Sequence, residues 1–147
     1  MSDVILLDAG PLGLVSHPRP ELEVVRWLAR LADGRPRVII PEIADYEVRR
    51  ELLRSGKSKS IQRLNQLKDV FGYLPITTEA MLKAAEFWAE IRKLGRPTAA
   101  DHALDADVIL AGQASSLENT NVVIASTNVR HLSRFVTTVE WRDIVRE

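Results

Sequence analysis

The sequence comprises 147 residues, of which 46% are hydrophobic and none is cysteine, and its 20 Lys and Arg balance 20 Asp and Glu. These values predict one globular domain spanning residues 1–147, with a core large enough to fold without disulfides or structural zinc. The lack of cysteine excludes thiol nucleophiles and iron–sulfur clusters and fits a cytoplasmic protein. No apolar run reaches the length of a membrane span and no signal-peptide pattern is found, so we expect no membrane partner.

The charges are unevenly distributed along the chain. Residues 49–68, called the basic block below, carry seven basic residues and one acid, a local charge of +6. Residues 98–129 carry four acids and no Lys or Arg, a local charge of −4. A net charge of zero by itself argues against a nucleic-acid binder, but here it conceals two opposed regions. The cations of the basic block are Arg49, Arg50, Arg54, Lys57, Lys59, Arg63 and Lys68.

Three short, continuous apolar runs predict buried parallel strands at residues 4–7, 38–40 and 122–125. Apolar residues at helical spacing predict helices over about 22–31, 43–53, 61–71 and 81–91, and an apolar helix starting at residue 108. This alternation of strands and helices predicts an α/β fold in which helices cover a parallel sheet.

Glycine and proline mark the expected element boundaries. Gly10 and Pro11 predict a turn after the first strand, and Pro41 is well placed at a helix start because its missing N–H costs nothing there. Gly72 and Gly95 are expected to end helices. The polar residues 55–60 predict a short hinge between two helices.

Polar side chains follow the first and third predicted strands. Ligands of an open parallel sheet bind outside the carboxyl ends of its strands, so Asp8, Ser126 and Asn128 are candidate site residues. Each also has an ordinary alternative, since Asp8 could cap a helix or form an Asx turn, and Ser and Asn are common turn residues.

Glu47 is a candidate on the helix that follows the second strand. It lies at the edge of that helix's apolar face, four residues beyond Ile43. The alternative is a salt bridge between Glu47 and Arg50. The neighbouring acids Glu42, Asp45 and Glu51 remain competing candidates, although we expect each of them to face solvent.

Three acids, Asp101, Asp105 and Asp107, precede the apolar helix expected at residue 108. Helix capping accounts for one or two of them, and three close carboxylates raise one another's pKa or recruit a cation. Asp107 is the first candidate for a cation ligand and Asp105 the second, while Asp101 is expected to be a loop acid. Carboxylate, hydroxyl and amide oxygens are the ligands that Mg²⁺ or Mn²⁺ prefers.

Other catalytic signatures are absent from the sequence. No zinc-type His/Cys spacing, no GxxxxGK[ST] or GxGxxG loop and no GxSxG elbow occurs. The three histidines, His17, His102 and His131, are scattered and are expected to be surface or capping residues. Trp27, Trp88 and Trp141 could serve an interface, but aromatic residues at helical spacing usually belong to a core.

Five groups of segments follow one another along the chain: ILLD with GPL (residues 5–8 and 10–12), IIPEI leading to Glu47 (39–43), DADVILAGQA (105–114), VIASTN with RHL (123–128 and 130–132), and VEW (139–141). In order and spacing these segments resemble PIN-domain ribonucleases of the VapC toxin type, over nearly the whole chain. The resemblance implies a Rossmann-like PIN fold in which Asp8, Glu47 and Asp107 converge as an acidic metal site. Asn128 is a departure from the more acidic form of the site, and we infer that Asp105 supplies the missing charge.

The resemblance also implies an activity and partners. We expect a Mg²⁺- or Mn²⁺-dependent endoribonuclease in which Ser126 and Asn128 position water or phosphate. The basic block, through Arg49, Arg50, Arg54, Lys57 and Lys59, would contact the RNA backbone. A cognate antitoxin and a homodimer are expected partners.

Several alternatives remain open at this stage. The chain could be a PIN-fold binding module with weak or no catalysis, which Asn128 favours, or a housekeeping PIN nuclease without an antitoxin. A metal-dependent phosphatase is disfavoured because Gly10 stands where an Asp-x-Asp signature needs its second acid. A phospho-accepting receiver is disfavoured because no Lys follows a late strand.

Overall fold

The computed structural model describes residues 2–32, 36–95, 101–118, 120–129 and 132–144, with residues 101–103 described by their backbone alone. In chain order the elements are β1 Val4–Leu7, α1 Ala9–Ser16, α2 Leu22–Leu31, β2 Arg37–Pro41, α3 Glu42–Arg54, α4 Ser58–Val70, β3 Gly72–Leu74, α5 Thr78–Lys93, α6 Asp101–Ser115, β4 Val122–Ser126, β5 Thr138–Glu140 and a 3₁₀ turn at Trp141–Asp143. None of the helices in this part of the chain is long and apolar enough to span a membrane.

The five strands form one parallel sheet in the order β3-β2-β1-β4-β5. The chain adds β2 and β3 on one side of β1 and then returns to add β4 and β5 on the other. The strand order therefore reverses between β1 and β4, where an open α/β sheet leaves a crevice at the carboxyl ends of its strands. Leu7 at the end of β1 is in register with Ala125 in β4.

Alternation along β1 divides the core into two layers. Ile5 and Leu7 pack in a cluster with residues of α1, α2, α3 and α4, whereas Val4 and Leu6 pack on the opposite face with residues of α6. Both faces of the central strand are buried, which explains its continuous apolar run. The α/β architecture predicted from the sequence is confirmed.

The two buried tryptophans close the first layer of the core. The rings of Trp27 and Trp141 meet edge to face with centroids 5.2 Å apart, and the Trp27 indole donates to the carbonyl of Ile144 at 3.1 Å. The expectation of core packing holds for these two residues, whereas Trp88 on α5 is 40% exposed.

Four details of the predicted boundaries were wrong. Gly10 and Pro11 lie inside α1, because Asp8 caps a helix directly after β1 and Pro11 occupies its first turn, where no N–H is needed. Gly72 begins β3, and α4 ends at Val70. The edge strands β3 and β5 were not predicted, since each has only three half-exposed residues. Gly95, at φ +64, follows the end of α5 as expected.

Buried polar contacts fix α6 and α3 against the sheet. The Gln113 side chain is fully buried, accepts from the Ile43 amide at 3.3 Å and donates to the Leu74 carbonyl at 2.8 Å. The Glu42 carboxylate accepts from the Tyr73 hydroxyl at 3.0 Å and the Ile76 amide at 2.7 Å. The expectation that Glu42 faces solvent was wrong, because distant β3 and the residues after it supply donors for both of its oxygens.

Candidate metal centre and nucleic-acid interface

Asp8 lies at the topological switch point and is held from two sides. As the N-cap of α1, it accepts from the Ala9 amide through Oδ1 at 2.7 Å, and Oδ2 accepts from the Ser126 hydroxyl, also at 2.7 Å. Burial raises the pKa of Asp8, and the two hydrogen bonds lower it in part. Asp8 is thus the helix cap, one of the alternatives that the sequence left open, and it lies where a ligand of the sheet is expected to bind.

Ser126 connects the end of β4 to Asp8. The side chain is fully buried, donates to Asp8 and accepts from the Asn128 amide at 2.9 Å. This relay orients the Asp8 carboxylate and turns the chain after β4. The Asn128 side chain is exposed beside the crevice, and its backbone is tied to Ser126.

Glu47 projects from α3 towards the same crevice. Its pKa is raised to about 7, first by burial and then by the negative charges of Asp8 and Asp107, while Arg50 lowers it. No ion pair joins Glu47 to Arg50 among the described side chains, and the Arg50 guanidinium lies over the Tyr46 ring, 5.1 Å from its centroid. The perturbation of Glu47 places Asp8, directly after β1, and Asp107 on α6 within electrostatic reach of this α3 carboxylate.

Asp107 and Asp105 occupy different faces of one helix. Both lie inside α6, which starts at Asp101, so the alternative that they cap a helix beginning at residue 108 does not hold for either of them. Residues two apart on a helix do not share a face. Asp107 is half-buried and acts on Glu47, whereas Asp105 is exposed and lines a groove with Met81 and other residues of α5. The structure therefore does not bring Asp105 to the site.

Thr127 is a neighbour of the site that the sequence did not single out as a separate candidate. A Cβ atom on Gly10 would collide with the Thr127 side chain, so the start of α1 and the residues after β4 approach as closely as a glycine allows. The Gly10 in the first turn of α1 is therefore a packing requirement next to Thr127, and a glycine two residues after a strand-end acid was the available signal.

The donor set suits a hard divalent cation. Among the described residues, no three His, Cys, Asp or Glu side chains are gathered closely enough as they stand to enclose a metal ion. Mg²⁺, however, is usually held by one or two carboxylates and keeps several waters. Asp8, already oriented by Ser126, and the mutually repelling Glu47 and Asp107 offer the oxygen ligands and negative charge such an ion requires.

The basic block folds into α3, the hinge and α4, and most of its cations are locally engaged. Arg49 donates to Asp45 at 3.0 and 3.1 Å and to Asn65 at 2.8 Å, and Arg54 donates to Glu51 at 2.8 and 3.0 Å. The expectation that Asp45 faces solvent was wrong, because Asp45 is buried against Arg49, whereas Glu51 is exposed as expected.

Two further cations of the block serve packing. Arg63 donates to the Val15 carbonyl and so ties α4 to α1, and the Lys68 ammonium lies 4.2 Å from the centroid of the Tyr73 ring. Lys57 and Lys59 are exposed at the hinge with no acidic partner among the described residues. These two lysines are the cations of the block most available to a ligand.

Several sequence features lie outside the described residues. They are the side chains of Asp101 and His102, and all of Arg130 and His131. His17 is exposed, and its Nδ1 accepts from the Arg19 amide at 3.0 Å, in agreement with a surface role.

Comparison with known proteins gives structural neighbours only. No protein-family model matches the sequence, and no curated protein matches it. A chain of the FitAcB crystal structure from Neisseria gonorrhoeae has a TM-score of 0.71 at 22% identity, covering 95% of this chain and 99% of that one. A chain of VapBC2 from Rickettsia felis, solved bound to a DNA fragment from the promoter, has a TM-score of 0.71 at 12% identity, covering 92% and 97%.

A third neighbour agrees with these two. A chain of VapBC-1 from nontypeable Haemophilus influenzae has a TM-score of 0.67 at 21% identity, covering 94% of this chain and 98% of that one. All three match over nearly their full length with the same arrangement of strands and helices. The chain therefore has the Rossmann-like PIN fold that its sequence predicted, the fold shared with chains of the VapBC and FitAB structures.

Proposed function

We propose that the protein is a divalent-metal-dependent endoribonuclease, the toxin of a type II toxin–antitoxin pair. The observation that carries this proposal is that the negative charges of Asp8 and Asp107 act on a partly buried Glu47 near the switch point of the sheet. Bringing carboxylates close together in a partly buried place lowers the stability of the fold, so a purely structural role does not account for the arrangement. A bound cation accounts for it, because a cation needs negatively charged ligands.

Each residue of the candidate site would have a role that follows from its position. Asp8, Glu47 and Asp107 would hold Mg²⁺ or Mn²⁺, directly or through water. The bound ion would lower the pKa of an attacking water and offset the charge that develops on the leaving oxygen. Ser126 keeps Asp8 oriented through its 2.7 Å hydrogen bond, and the exposed amide of Asn128 is placed to orient water or phosphate. Asp105 has no role in this proposal.

The basic block supplies the contact with the nucleic acid. Lys57 and Lys59 are the favoured phosphate contacts, while Arg50 lies close enough to Glu47 to lower its pKa. Arg49 and Arg54 are engaged by Asp45 and Glu51, so their expected contribution to RNA binding is smaller. The exposed lysines support an electrostatic, sequence-independent contact with the RNA backbone.

A cognate antitoxin and a homodimer complete the proposal. The VapBC and FitAB neighbours support an antitoxin partner, and the sequence resemblance implies both partners. The groove between α5 and α6, lined by Met81, Trp88 and Ile109, offers an apolar surface for one of them.

The direct test is RNA cleavage by the purified chain. We expect cleavage with Mg²⁺ or Mn²⁺, its loss in EDTA, and its restoration by added metal. Calorimetric titration of Mn²⁺ should show binding that Asp8→Asn abolishes. No cleavage together with no Mn²⁺ binding at millimolar metal would favour instead the catalytically silent binding module that Asn128 suggests.

A further inference from the structure

A cavity of about 520 Å³ lies between the end of α1 and the start of α4, away from the carboxylates. One wall is formed by Gly13, Ser16 and the residues after α1, and the other by the hinge and first turn of α4. Arg63, one turn further along α4, donates to the Val15 carbonyl of α1. This hydrogen bond holds the two walls at a fixed separation, so the cavity is a built feature of the fold.

The start of α4 presents backbone donors to this cavity without a cap. Lys57 occupies the N-cap position, makes no side-chain cap, and is followed by a first turn without acids. The Ser58 amide donates a hydrogen bond to the Gly56 carbonyl at 3.1 Å. The amides of Lys59 and Ser60 have no acceptor among the described residues. A helix start in this state favours an anion, because its N–H groups and its dipole point the same way.

Ser60 is the independent indication of a ligand. It is only 5% exposed and lines the cavity, yet its hydroxyl makes no hydrogen bond to any described residue. The Ser60 hydroxyl therefore keeps its donor and its acceptor capacity unused at the wall of the cavity. A ligand oxygen in the cavity would satisfy the Ser60 hydroxyl together with the two free amides.

The charged side chains around the cavity indicate that the ligand is negatively charged. His17, Arg19, Lys57 and Lys59 line it, and no Asp or Glu does. None of these four forms an ion pair with an acid among the described side chains. Backbone amides, a hydroxyl and cations converging on one space are the donors that bind the oxygens of a phosphate group.

We propose that this cavity is a phosphate-binding site centred on the amides of Lys59 and Ser60 and the Ser60 hydroxyl. Gly56, at φ +65, provides the left-handed turn that leads into the helix. The sequence Gly-Lys-Ser at residues 56–58 stands at this helix start, although the preceding element is a helix and the full phosphate-loop signature is absent.

The position of the cavity identifies the source of the phosphate, an assignment that rests on the proposed ribonuclease function. Helix α1 starts beside Asp8 and ends at the cavity, and its eight residues span about 12 Å. A single RNA strand covers that distance in a few nucleotides. A strand cut at the carboxylates would therefore place a neighbouring phosphodiester in the cavity.

The test is an NMR titration of the full chain in EDTA, without cleavage. Inorganic phosphate should shift the amides of Lys59 and Ser60 saturably at millimolar concentration, and sulfate-free buffer avoids competition. Ser60→Ala should weaken binding about fivefold, and the Lys57→Gln/Lys59→Gln pair about tenfold. The charge-matched control Lys83→Gln/Lys93→Gln, on α5, should change the affinity less than twofold.

A second arm uses a short single-stranded RNA under the same conditions. Shifts of the same two amides, reversed by excess phosphate, would support the assignment to the RNA backbone. Shifts with phosphate but not with RNA would support the site and overturn that assignment. No shift with either would overturn the site. The amide shifts are measured without metal and without RNA cleavage. If the chain binds phosphate at this site but has no nuclease activity, the phosphate site stands and the proposed ribonuclease function fails.

Discussion

The acidic crevice and the basic block differ in how their charged side chains are arranged. In the crevice, Asp8, Glu47 and Asp107 come from three parts of the chain. Burial, followed by the charges of Asp8 and Asp107, raises the pKa of Glu47 to about 7. In the basic block, most cations find a partner within the block or in an adjoining element, such as Asp45 for Arg49 and Glu51 for Arg54. Like charges are brought close together in the first region, whereas most cations of the second make separate local contacts.

The difference shows why local net charge is a poor measure of binding capacity. Residues 98–129, with a local charge of −4, contribute one described carboxylate, Asp107, to the candidate site. The other two carboxylates, Asp8 and Glu47, come from elsewhere in the chain. The basic block of +6 leaves Lys57 and Lys59 as its clearly available cations. The placement of charges in the fold, and not their total along the sequence, distinguishes a candidate site from a solvated surface.

The largest expected effect comes from Asp107→Asn compared with Asp105→Asn. Both substitutions remove one negative charge from α6, but only Asp107 faces Glu47. We expect Asp107→Asn to lower the rate of RNA cleavage about 100-fold or more, and Asp105→Asn to lower it less than threefold. Cleavage assays at saturating Mn²⁺, with circular dichroism as a folding control, measure both. Equal losses would mean that the assignment of faces on α6 is wrong.

Glu47→Gln tests the free-energy cost of the crowded carboxylates. The folded-state pKa of Glu47 is about 7, above its ordinary value of 4.5, so the stability due to its protonation is present below pH 4.5 and is lost as the pH rises to about 7. In EDTA at pH 8 the variant should therefore be more stable than the parent, by on the order of 1 to 2 kcal/mol.

The same comparison at pH 4, below the ordinary pKa of 4.5, provides the control for Glu47→Gln. There the parent carboxyl is largely protonated in both the folded and the unfolded state, so urea unfolding should give nearly equal free energies for the two proteins. Added Mn²⁺ at pH 8 should stabilise the parent more than the variant. A variant that is less stable than the parent at pH 8 in EDTA would contradict a repulsive cluster.

Ser126→Ala tests the positioning of Asp8. Loss of the 2.7 Å hydrogen bond removes an interaction that lowers the pKa of Asp8 and lets the carboxylate rotate. We expect about a tenfold loss of cleavage rate and an acidic limb of the pH–rate profile that moves to higher pH. Ser126→Thr should restore the hydroxyl and most of the rate, while the exposed control Ser133→Ala should be unchanged. An unshifted profile would reduce Ser126 to a packing role.

The sequence predicted the parts of the fold that local patterns encode. The central strands and their strand-end residues Asp8 and Ser126 follow from continuous apolar runs, since strands buried on both faces are apolar at every position. Strand β3 was missed because its three half-exposed residues carry no such run. The burial of Glu42 was missed because Tyr73 and Ile76, its partners, lie about 30 residues away.

The site was predicted less evenly than the fold. Asp8, Glu47 and Asp107 were named through their order along the chain, and the family resemblance supplied the grouping that no local pattern contains. Asp105 was included because the start of α6 was placed seven residues too late. With the helix starting at residue 101, its periodicity alone separates Asp105 from Asp107. The cavity at α4 could not be predicted, since it depends on α1 and the hinge meeting across the core.

The smallest effect, and the finest test of the comparison, is Lys59→Gln against Arg54→Gln in RNA binding. Each substitution removes one positive charge from the basic block, but Arg54 is engaged by Glu51 whereas Lys59 is not. For a single strand, each phosphate contact adds about 0.7 to the slope of log affinity against log salt. Lys59→Gln should reduce the slope by about that amount, with a few-fold loss of affinity in low salt, and Arg54→Gln should leave the slope unchanged. Fluorescence anisotropy with a labelled RNA in EDTA, from low to moderate salt, measures both slopes. If the two variants lose the same slope, the RNA responds to the total charge of the block, and the distinction between engaged and available cations does not govern binding.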